Sequence, residues 1–332
     1  MAGDLRVGLV GAGMVAAYHI AGWSDCPGAT LVGVADPDPA RARDRATAAG
    51  AQAFPSLAEM AEIGLDAVDI VAPAPIHGAL IDEALSHGLH VKCQKPLAPD
   101  HASARRIVDR LPDGARVMIH ENWRWRPQYR ALRMAMEEDT LQRPTGFEFR
   151  VESSGLLPRP DGSFPALERQ PFFADMPRFL VLELLIHHLD TLEFLFGPVE
   201  IHSARLDRRC MAIRGEDLAV ITLVAGGVPG RLIGDFCVPG APPLPRDRLA
   251  LTGSEVPVVD GWRIALPGQP GCDFDPEKAY QQSYTDTIGH FVDCIRQNRV
   301  FETPAQQGLR ALDHVAKIYA IADPSLIPAA AT

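Results

Sequence analysis

The sequence predicts an α/β Rossmann domain at the N-terminus and an α+β domain at the C-terminus with a large, open, mainly antiparallel sheet. Three observations support this fold class. Short apolar runs alternate with helical patterns over residues 1–122, which is typical of parallel sheets. A glycine-rich turn at residues 11–16 joins the first run to the first helical pattern. Beyond residue 145 the apolar spacing changes to period two, which indicates half-exposed strands.

The N-terminal domain is predicted over residues 1–122. Its expected strands are Leu5–Val10, Thr30–Ala35, Ala67–Val71, His90–Cys93 and Arg116–Ile119. Its expected helices are Met14–Trp23, Pro39–Ala49 and His77–Ser86. Strands that are joined through helices pair in parallel with right-handed crossovers, so these elements should form one parallel sheet.

The C-terminal domain is predicted over residues 123–332. Its expected strands are Thr145–Ser153, Val199–Arg205, Leu218–Val224, Arg231–Val238, Arg248–Leu251 and Trp262–Leu266. The pair Gly226-Gly227 predicts a hairpin turn. Its expected helices are Arg178–Phe196, Tyr280–Gln297 and Ala305–Ala322. The loops Leu156–Arg178 and Pro239–Arg246 are rich in Pro and Gly, as binding loops often are.

Composition excludes several classes of function. The chain has 332 residues and a formal net charge of −10, whereas nucleic-acid-binding proteins are normally basic. No apolar run reaches the roughly 20 residues that a membrane span requires. The six cysteines are scattered without a CxxC pair, and no export signal is recognisable, so we expect reduced thiols and a cytoplasmic protein.

A nucleotide-binding fingerprint occupies the turn after the first strand. The residues Gly11-Ala12-Gly13-Met14-Val15-Ala16 fit G-x-G-x-x-G/A between a strand and a helix, which is the context that the motif requires. Gly11 allows the tight turn, Gly13 allows the pyrophosphate to approach the backbone, and Ala16 allows close packing of helix on strand. Free N–H groups at the helix N-terminus, around Met14 and Val15, should then face the phosphates.

Asp36 decides which dinucleotide the turn is expected to bind. It ends the second strand, 20 residues after Ala16, and its carboxylate is placed to accept hydrogen bonds from a ribose 2′-OH. The same charge would repel a 2′-phosphate. The sequence therefore predicts NAD in preference to NADP, although Arg41 and Arg43 lie close enough in sequence to keep NADP open.

Three further segments carry a family resemblance. They are Gln94-Lys95-Pro96, the run Asn122-Trp123-Arg124-Trp125-Arg126-Pro127, and the helix with Glu183, His187 and Asp190. With the fingerprint, they resemble the Gfo/Idh/MocA oxidoreductase family, named after glucose-fructose oxidoreductase and inositol dehydrogenase, over nearly the whole chain. The family usually has Glu-Lys-Pro, so Gln94 is a departure from its pattern.

The resemblance implies roles for particular residues. It implies an NAD(P)-dependent dehydrogenase acting on CH–OH groups of a sugar, polyol or sugar derivative. It places Pro73, His77, Gln94 and Lys95 beside the cofactor, and Asn122, Arg124, Trp125, Glu183 and His187 beside the substrate. It also implies a homodimer or homotetramer in which the antiparallel sheets pack face to face. For Asn122, Arg124 and Trp125, packing at the domain junction is an equally good interpretation. For His77, capping of its own helix is equally plausible.

Elementary chemistry supports roles for Lys95 and His187. Lys95 follows a strand at the carboxyl edge of a parallel sheet, where its ammonium could stabilise a developing alkoxide and relay a proton. His187 lies four residues after Glu183 on an expected apolar helix, and a carboxylate beside an imidazole raises its basicity. The pair looks like the family's D-x-x-x-H element with Glu183 in place of aspartate. This resemblance implies that His187 is the general base and that Glu183 orients it or contacts the substrate.

Several alternatives stay open at this point. The same chemistry could act on a trans-dihydrodiol, a carbonyl or imine compound, or an aromatic semialdehyde. The chain could instead be a non-catalytic regulator that binds the dinucleotide, or an enzyme that retains its dinucleotide through a closed cycle. No metal is expected, because Glu183, His187 and His188 lack the H-E-x-x-H order and no third ligand is marked.

Overall fold

The computed structural model describes residues 3–138, 141–252 and 258–323, which form two compact units. The first unit combines the residues up to Arg126 with Glu277–Leu312. The second combines Pro127–Pro276 with the residues from Asp313 onward. The outer ends of the predicted domains, at residues 1 and 332, lie outside the described residues. Unlike those domains, the first unit is built from two stretches of the chain.

The first unit contains a six-stranded parallel sheet in the order β3-β2-β1-β4-β5-β6. The strands are β1 (Leu5–Val10), β2 (Ala29–Ala35), β3 (Gln52–Phe54), β4 (Ala67–Ile70), β5 (His90–Gln94) and β6 (Val117–His120). Five of the six match expected strands. β3 was not predicted, because three residues are too few to produce a periodic pattern. The strand order reverses between β1 and β4, which is where open α/β sheets bind ligands.

Helices connect these strands. They are α1 (Ala16–Ser24), α2 (Pro39–Ala49), α3 (Leu57–Ala61), α4 (His77–Ser86) and α5 (His101–Asp109). Side-chain caps begin three of them, because Asp38, Ser56 and Asp100 each accept hydrogen bonds from backbone N–H groups of the first turn. In contrast, α1 follows Val15 with no side-chain cap, so the phosphate-binding turn leads directly into the helix.

The second unit contains an eight-stranded sheet in the order β14-β13-β12-β11-β7-β10-β9-β8. The strands are β7 (Phe147–Glu152), β8 (Val199–Asp207), β9 (Leu218–Ala225), β10 (Val228–Asp235), β11 (Arg246–Leu251), β12 (Val259–Asp260), β13 (Arg263–Ile264) and β14 (Cys272–Asp273). Within the described part of this sheet only the pairing of β7 with β10 is parallel, so the prediction of a mainly antiparallel sheet is confirmed. The hairpin at Gly226 and Gly227 is confirmed too, with φ values of 53° and 86°.

The remaining helices are α6 (Pro127–Glu137), α7 (Pro165–Arg169), α8 (Ile186–Phe196), α9 (Pro276–Arg296) and α10 (Ala305–Ala322). The single α-helix predicted over Arg178–Phe196 is wrong at its start, because Leu180–Leu185 is π-helical and α8 begins only at Ile186. Apolar residues on all sides gave no sign of the wider turns. No helix among the described residues is long and apolar enough to cross a membrane.

Helix α9 completes the core of the first unit. Its residues Ile288, Phe291 and Val292 belong to the same buried cluster as Leu9 of β1 and Trp23 of α1. The aromatic rings of Trp23 and Phe291 meet edge to face, with centroids 6.3 Å apart. A segment from late in the sequence therefore covers the Rossmann sheet, which explains why Glu277–Leu312 belongs to this unit.

Candidate active site

The two glycines of the fingerprint turn have different roles. Gly11 has a φ of +103°, and a Cβ atom there would lie 2.8 Å from the backbone nitrogen of Ala72. The fold itself therefore requires glycine at this position. A Cβ atom at Gly13 would meet no protein atom within 4 Å. Glycine at position 13 is consequently not needed for packing, and the space that it leaves is open to a ligand.

The rest of the turn suits an anion. Met14 is 57% exposed, and Val15 leads into α1 without a side-chain cap. Ala16 is fully buried, as expected for a residue where the helix packs closely on the sheet. An uncapped helix N-terminus beside a small-residue turn leaves backbone N–H groups for a phosphate. The turn therefore fits a dinucleotide pyrophosphate.

Asp36 links the end of β2 to this turn. Its Oδ2 accepts a hydrogen bond from the backbone N–H of Ala12 at 2.8 Å, and its Oδ1 accepts one from that of Asp38 at 2.9 Å. The guanidinium of Arg41 approaches Oδ1 to 3.4 Å, and this side chain is 58% exposed. The carboxylate is thus held by two backbone N–H groups, with an exposed cation beside it.

His77 joins two loops at the carboxyl edge of the sheet. Pro73 precedes a short 3₁₀ turn, Ala74–Ile76, and His77 begins α4. The buried imidazole places Nε2 2.8 Å from the carbonyl oxygen of Ala72 and Nδ1 3.0 Å from that of Pro96. Burial lowers the pKa of His77, so the neutral ring donates to one of these carbonyls at a time.

Lys95 follows directly after β5. Its backbone N–H donates to Oε1 of Gln94 at 2.7 Å, and Pro96 comes next through a cis peptide bond. Nε2 of Gln94 lies 3.1 Å from Nε2 of His19, which belongs to α1. Both residues of the motif are half-buried. Gln94, where the family usually has glutamate, therefore contacts the backbone of Lys95 and a buried histidine.

Below this turn lies a buried charged cluster that the sequence analysis missed. Asp69 of β4 and Lys92 of β5 are fully buried, with Nζ 3.2 Å from Oδ2. Asp69 also accepts hydrogen bonds from His19 Nδ1 at 2.7 Å and from the Trp23 indole at 2.8 Å. A charged residue in the middle of an apolar parallel strand was the available signal, because such residues are buried only when they are paired.

The residues after β6 contact α9 and the segment that follows it. Asn122 donates through Nδ2 to Ser283 Oγ at 2.9 Å. Arg124 donates to the carbonyl oxygen of Glu302 at 3.4 Å, and the Trp125 ring lies 4.9 Å from that of His290. Arg126 stacks 3.5 Å above the ring of Trp123. These contacts give the segment a packing role, and substrate contact by Asn122, Arg124 and Trp125 stays a prediction.

Glu183 and His187 lie in differently wound parts of one helical segment. Glu183 belongs to the π-helical Leu180–Leu185 and is half-buried, whereas His187 is buried in the first turn of α8. That Glu183 orients His187 stays a prediction. Single π turns are frequent at functional sites, which suits the predicted roles.

Glu216 holds the start of this segment. Its carboxylate accepts hydrogen bonds from the backbone N–H groups of Phe179 at 3.3 Å and Val181 at 2.9 Å. It also accepts one from the Tyr319 hydroxyl at 2.5 Å. Burial and the adjacent carboxylate raise the pKa of Tyr319, which remains the donor. The sequence analysis gave Glu216 no role, since nothing in its local pattern points to position 180.

His188 links α8 to neighbouring elements through its ring nitrogens. Its Nε2 donates to Oδ1 of Asp247 at 2.9 Å, and its Nδ1 lies 3.1 Å from the carbonyl oxygen of Leu184. The Tyr129 hydroxyl donates to the other carboxylate oxygen of Asp247 at 2.6 Å. These bonds fasten α8 to β11 and α6. Among the described residues, no group of three His, Cys, Asp or Glu side chains is arranged to hold a metal ion.

Comparison with known proteins identifies the family. Residues 5–120 match the sequence model of an oxidoreductase family, GFO_IDH_MocA, with an NAD-binding Rossmann fold. The chain is 31% identical over 330 residues to D-apiose dehydrogenase of Paraburkholderia graminis, a match that covers 94% of this chain and 86% of that protein. The chain belongs to the Gfo/Idh/MocA family. The predicted family, fold class and NAD cofactor are therefore confirmed, and the protein is an NAD-dependent oxidoreductase.

Two further relatives place the chain within the Gfo/Idh/MocA family. Inositol 2-dehydrogenase of Corynebacterium glutamicum is 32% identical over 239 residues, which cover 69% of this chain and 66% of that protein. The solved structure of an oxidoreductase from Agrobacterium radiobacter, in complex with NAD+, L-tartaric acid and magnesium, superposes with a TM-score of 0.86. That chain is 25% identical, and the superposition covers 97% of both chains.

Proposed function

We propose that the protein catalyses the NAD-dependent interconversion of a secondary alcohol and a ketone on a sugar, polyol or sugar derivative. The observation that carries this proposal is the juxtaposition of an NAD-binding turn with Lys95 at the carboxyl edge of one parallel sheet. Relatives named D-apiose dehydrogenase and inositol 2-dehydrogenase support a polyhydroxylated substrate. The neighbour from Agrobacterium radiobacter holds L-tartaric acid, so hydroxy acids belong among the candidates.

The cofactor is proposed to lie along the fingerprint turn. Gly13, Met14 and Val15 would face its pyrophosphate, with Gly11 shaping the turn. Asp36 would accept hydrogen bonds from the adenosine ribose, since its carboxylate is already oriented by two backbone N–H groups. The proposed neighbours toward the nicotinamide are Pro73, His77, Gln94 and Lys95. When bound, NAD+ supplies the acceptor for the hydride of the carbinol carbon.

Lys95 and His187 are the proposed catalytic residues. Oxidation of an alcohol removes a proton from the hydroxyl group while the hydride leaves the carbon. His187 accepts that proton as general base, with Glu183 orienting the imidazole or the substrate. The Lys95 ammonium donates a hydrogen bond to the same oxygen and stabilises the alkoxide that develops. Asn122, Arg124 and Trp125 are proposed to contribute to substrate binding.

NADH formation from NAD+ tests the proposal over a panel of D-apiose, myo-inositol, aldoses, polyols, sugar acids and L-tartrate. We expect turnover with at least one of them. Lys95→Ala and His187→Asn should each lower kcat by about 10²–10⁴-fold, the usual contribution of a positioned proton-transfer group. The matched control is Lys317→Ala, because this lysine of α10 is 56% exposed.

Three outcomes would change this assignment. Tight NADH binding with no turnover over the whole panel would favour a dinucleotide-binding regulator. Nucleotide that survives purification, with turnover only when two carbonyl or alcohol partners are supplied together, would favour a closed-cycle enzyme. Turnover on an aromatic semialdehyde or a dihydrodiol alone would keep the chemistry and replace the substrate class.

The face of the eight-stranded sheet that carries Glu148, Arg150 and Glu152 is the proposed contact surface of a homodimer or homotetramer. These side chains are half-buried and alternate with buried Phe149 and Val151. Arg150 pairs with Glu148 at 2.6 Å, so the face is both charged and ordered. Analytical ultracentrifugation of the wild type and Arg150→Glu tests this, with dissociation expected for the variant and a monomeric wild type opposing it.

The proposed compartment is the cytoplasm. All six cysteines lie in described parts of the chain and none forms a disulfide there. Free thiols are characteristic of reducing compartments.

A further inference from the structure

A buried histidine is linked through Gln94 to the backbone of Lys95, the proposed catalytic lysine. His19 of α1 is fully buried and connects two groups of atoms. On one side its Nδ1 lies 2.7 Å from Oδ2 of Asp69, which also pairs with Lys92. On the other side its Nε2 lies 3.1 Å from Nε2 of Gln94, whose Oε1 accepts the N–H of Lys95.

One backbone group fixes the donor and the acceptor of each hydrogen bond that links Lys95, Gln94, His19 and Asp69. The N–H of Lys95 can only donate, so the Gln94 atom at 2.7 Å must be the carbonyl oxygen. The Gln94 amide nitrogen therefore faces His19 and donates to it. An Nε2 that accepts a hydrogen bond carries no proton, so His19 is neutral with its proton on Nδ1, where it donates to Asp69.

Lys92 completes the balance of charge. Its Nζ lies 3.3 Å from Nδ1 of His19, but both atoms are donors, so this is a contact between them and no hydrogen bond. The bonds of Lys92 go to both carboxylate oxygens of Asp69, at 3.2 and 3.3 Å. With one anion, one cation, a neutral imidazole and a neutral amide, the cluster has no net charge.

We propose that Gln94 is a positioning residue that holds the Lys95 backbone through a neutral His19, and that Lys92 balances the charge of Asp69 beside that ring. The inference rests on the proposed role of Lys95. It assigns a reason to Gln94 at a place where the family usually has glutamate. An amide satisfies both neighbours at once, because it accepts from Lys95 and donates to His19.

The surroundings of His19 support a neutral ring. Burial lowers its pKa, Asp69 raises it and Lys92 lowers it. Burial raises the pKa of Tyr284, so this neighbour of the ring is uncharged at neutral pH. The His120 ring of β6 lies 4.5 Å away between centroids, and the Tyr284 ring of α9 lies 5.3 Å away.

Glutamate at position 94 should reverse the arrangement. One carboxylate oxygen could still accept the N–H of Lys95, but the other would face the lone pair of His19 Nε2. Protonation of His19 removes that repulsion and returns the cluster to zero net charge. The pKa of His19 should therefore rise in Gln94→Glu. The hydrogen bond from the Lys95 N–H to the side chain of residue 94 should weaken as the pH rises through this new pKa.

Nitrogen NMR of ¹⁵N-histidine-labelled protein tests the proposal without any turnover. In the wild type we expect His19 to remain neutral and protonated on Nδ1 from pH 6 to 8.5, with its signals assigned by loss in His19→Gln. In Gln94→Glu the apparent pKa of His19 should rise by about one pH unit or more. A cationic His19 in the wild type, or a His19 that does not respond to Gln94→Glu, would overturn the inference.

The pH dependence of kcat/KM supplies a second readout. Relative to wild type, Gln94→Glu should lose activity as the pH rises through the pKa of His19 and should level off above it. Gln94→Met removes both hydrogen bonds and should lower kcat/KM by a constant factor at every pH. Equal profiles for the two variants would contradict the inference. If Lys95→Ala retains full turnover, the proposed role of Lys95 fails, while the NMR titration still decides the state of His19.

Discussion

Oδ2 of Asp36 accepts the backbone N–H of Ala12 at 2.8 Å, so the carboxylate that is proposed to bind the ribose also fixes the fingerprint turn. We predict that Asp36→Ala raises KM for NAD+ by about tenfold, the equivalent of one lost hydrogen bond to a charged group. The substitution also removes the anion beside Arg41. The ratio of kcat/KM for NADP+ to that for NAD+ should therefore rise by about ten- to a hundredfold.

Asp38→Ala is the control for this substitution. Asp38 caps α2 through Ala40 and Arg41, so its loss should lower the free energy of unfolding by about 1 kcal/mol. The preference for NAD+ should stay as in the wild type. An unchanged cofactor ratio in Asp36→Ala would show that Asp36 does not discriminate between the dinucleotides.

The two fingerprint glycines offer a matched pair of substitutions. Gly11→Ala introduces a Cβ 2.8 Å from Ala72 at a φ of +103°, so we expect a loss of about 2 kcal/mol or more in the free energy of unfolding. Gly13→Ala meets no protein atom within 4 Å. It should leave the unfolding midpoint nearly unchanged and weaken NADH binding at least about tenfold, because the methyl group occupies the space of the pyrophosphate.

Thermal unfolding without cofactor and fluorescence titration with NADH separate these two effects. Equal loss of stability in both variants, or undiminished NADH affinity in Gly13→Ala, would show that the turn does not bind the pyrophosphate.

Lys92 should contribute strongly to stability through the charge that it compensates. Lys92→Met leaves the Asp69 carboxylate buried without its cation, and removal of one partner of a buried pair costs about 3–5 kcal/mol. Arg110→Met is the matched exposed case, because Arg110 and Asp82 are 42% and 48% exposed. It should cost about 0–1 kcal/mol.

Urea unfolding measures both substitutions. If Lys92→Met does not fold, the double variant Asp69→Asn/Lys92→Met should recover much of the loss, since neither charge then remains buried. Equal effects at Lys92 and Arg110 would mean that the buried cluster contributes no more than a surface pair.

The stability of the protein should fall in mild acid. Burial lowers the pKa of His19 and His77 from the ordinary value of 6.5. Below pH 6.5 the unfolded chain binds protons that the folded chain does not, so the free energy of unfolding decreases as the pH drops. The limiting slope is about 1.4 kcal/mol per pH unit for each group. Urea unfolding between pH 7 and 5 measures this slope. His19→Gln should reduce it. An unaltered slope in that variant would show that His19 does not bind a proton on unfolding.

The local sequence pattern was sufficient to predict most helices and strands of the first unit. Helices α2 and α4 have the bounds that were predicted, Pro39–Ala49 and His77–Ser86. In α2 an Asp-Pro pair marks the start and Gly50 the end, with a φ of 64°. The fingerprint turn was equally accessible, because its glycines, its strand and its helix are contiguous in sequence.

Features that depend on residues far apart in the sequence could not be predicted from it. The π-helical start of the segment before α8 coincides with hydrogen bonds from Phe179 and Val181 to Glu216, more than 30 positions away. The cluster around His19 draws on α1, β4 and β5, and no spacing rule relates three separate elements. Charged residues within buried strands, Asp69 and Lys92, were nevertheless visible and indicate where such a cluster should be sought.

The contribution of α9 to the first core has a consequence for biosynthesis. Phe291 of α9 and Phe301, which follows α9, belong to the same buried cluster as side chains of β1 and α1, which the ribosome completes long before it reaches those two residues. At a typical elongation rate of about 5–20 residues per second, the nascent sheet waits many seconds with one apolar face uncovered. Binding of a chaperone to that face should therefore end only when residues near Phe301 emerge from the exit tunnel.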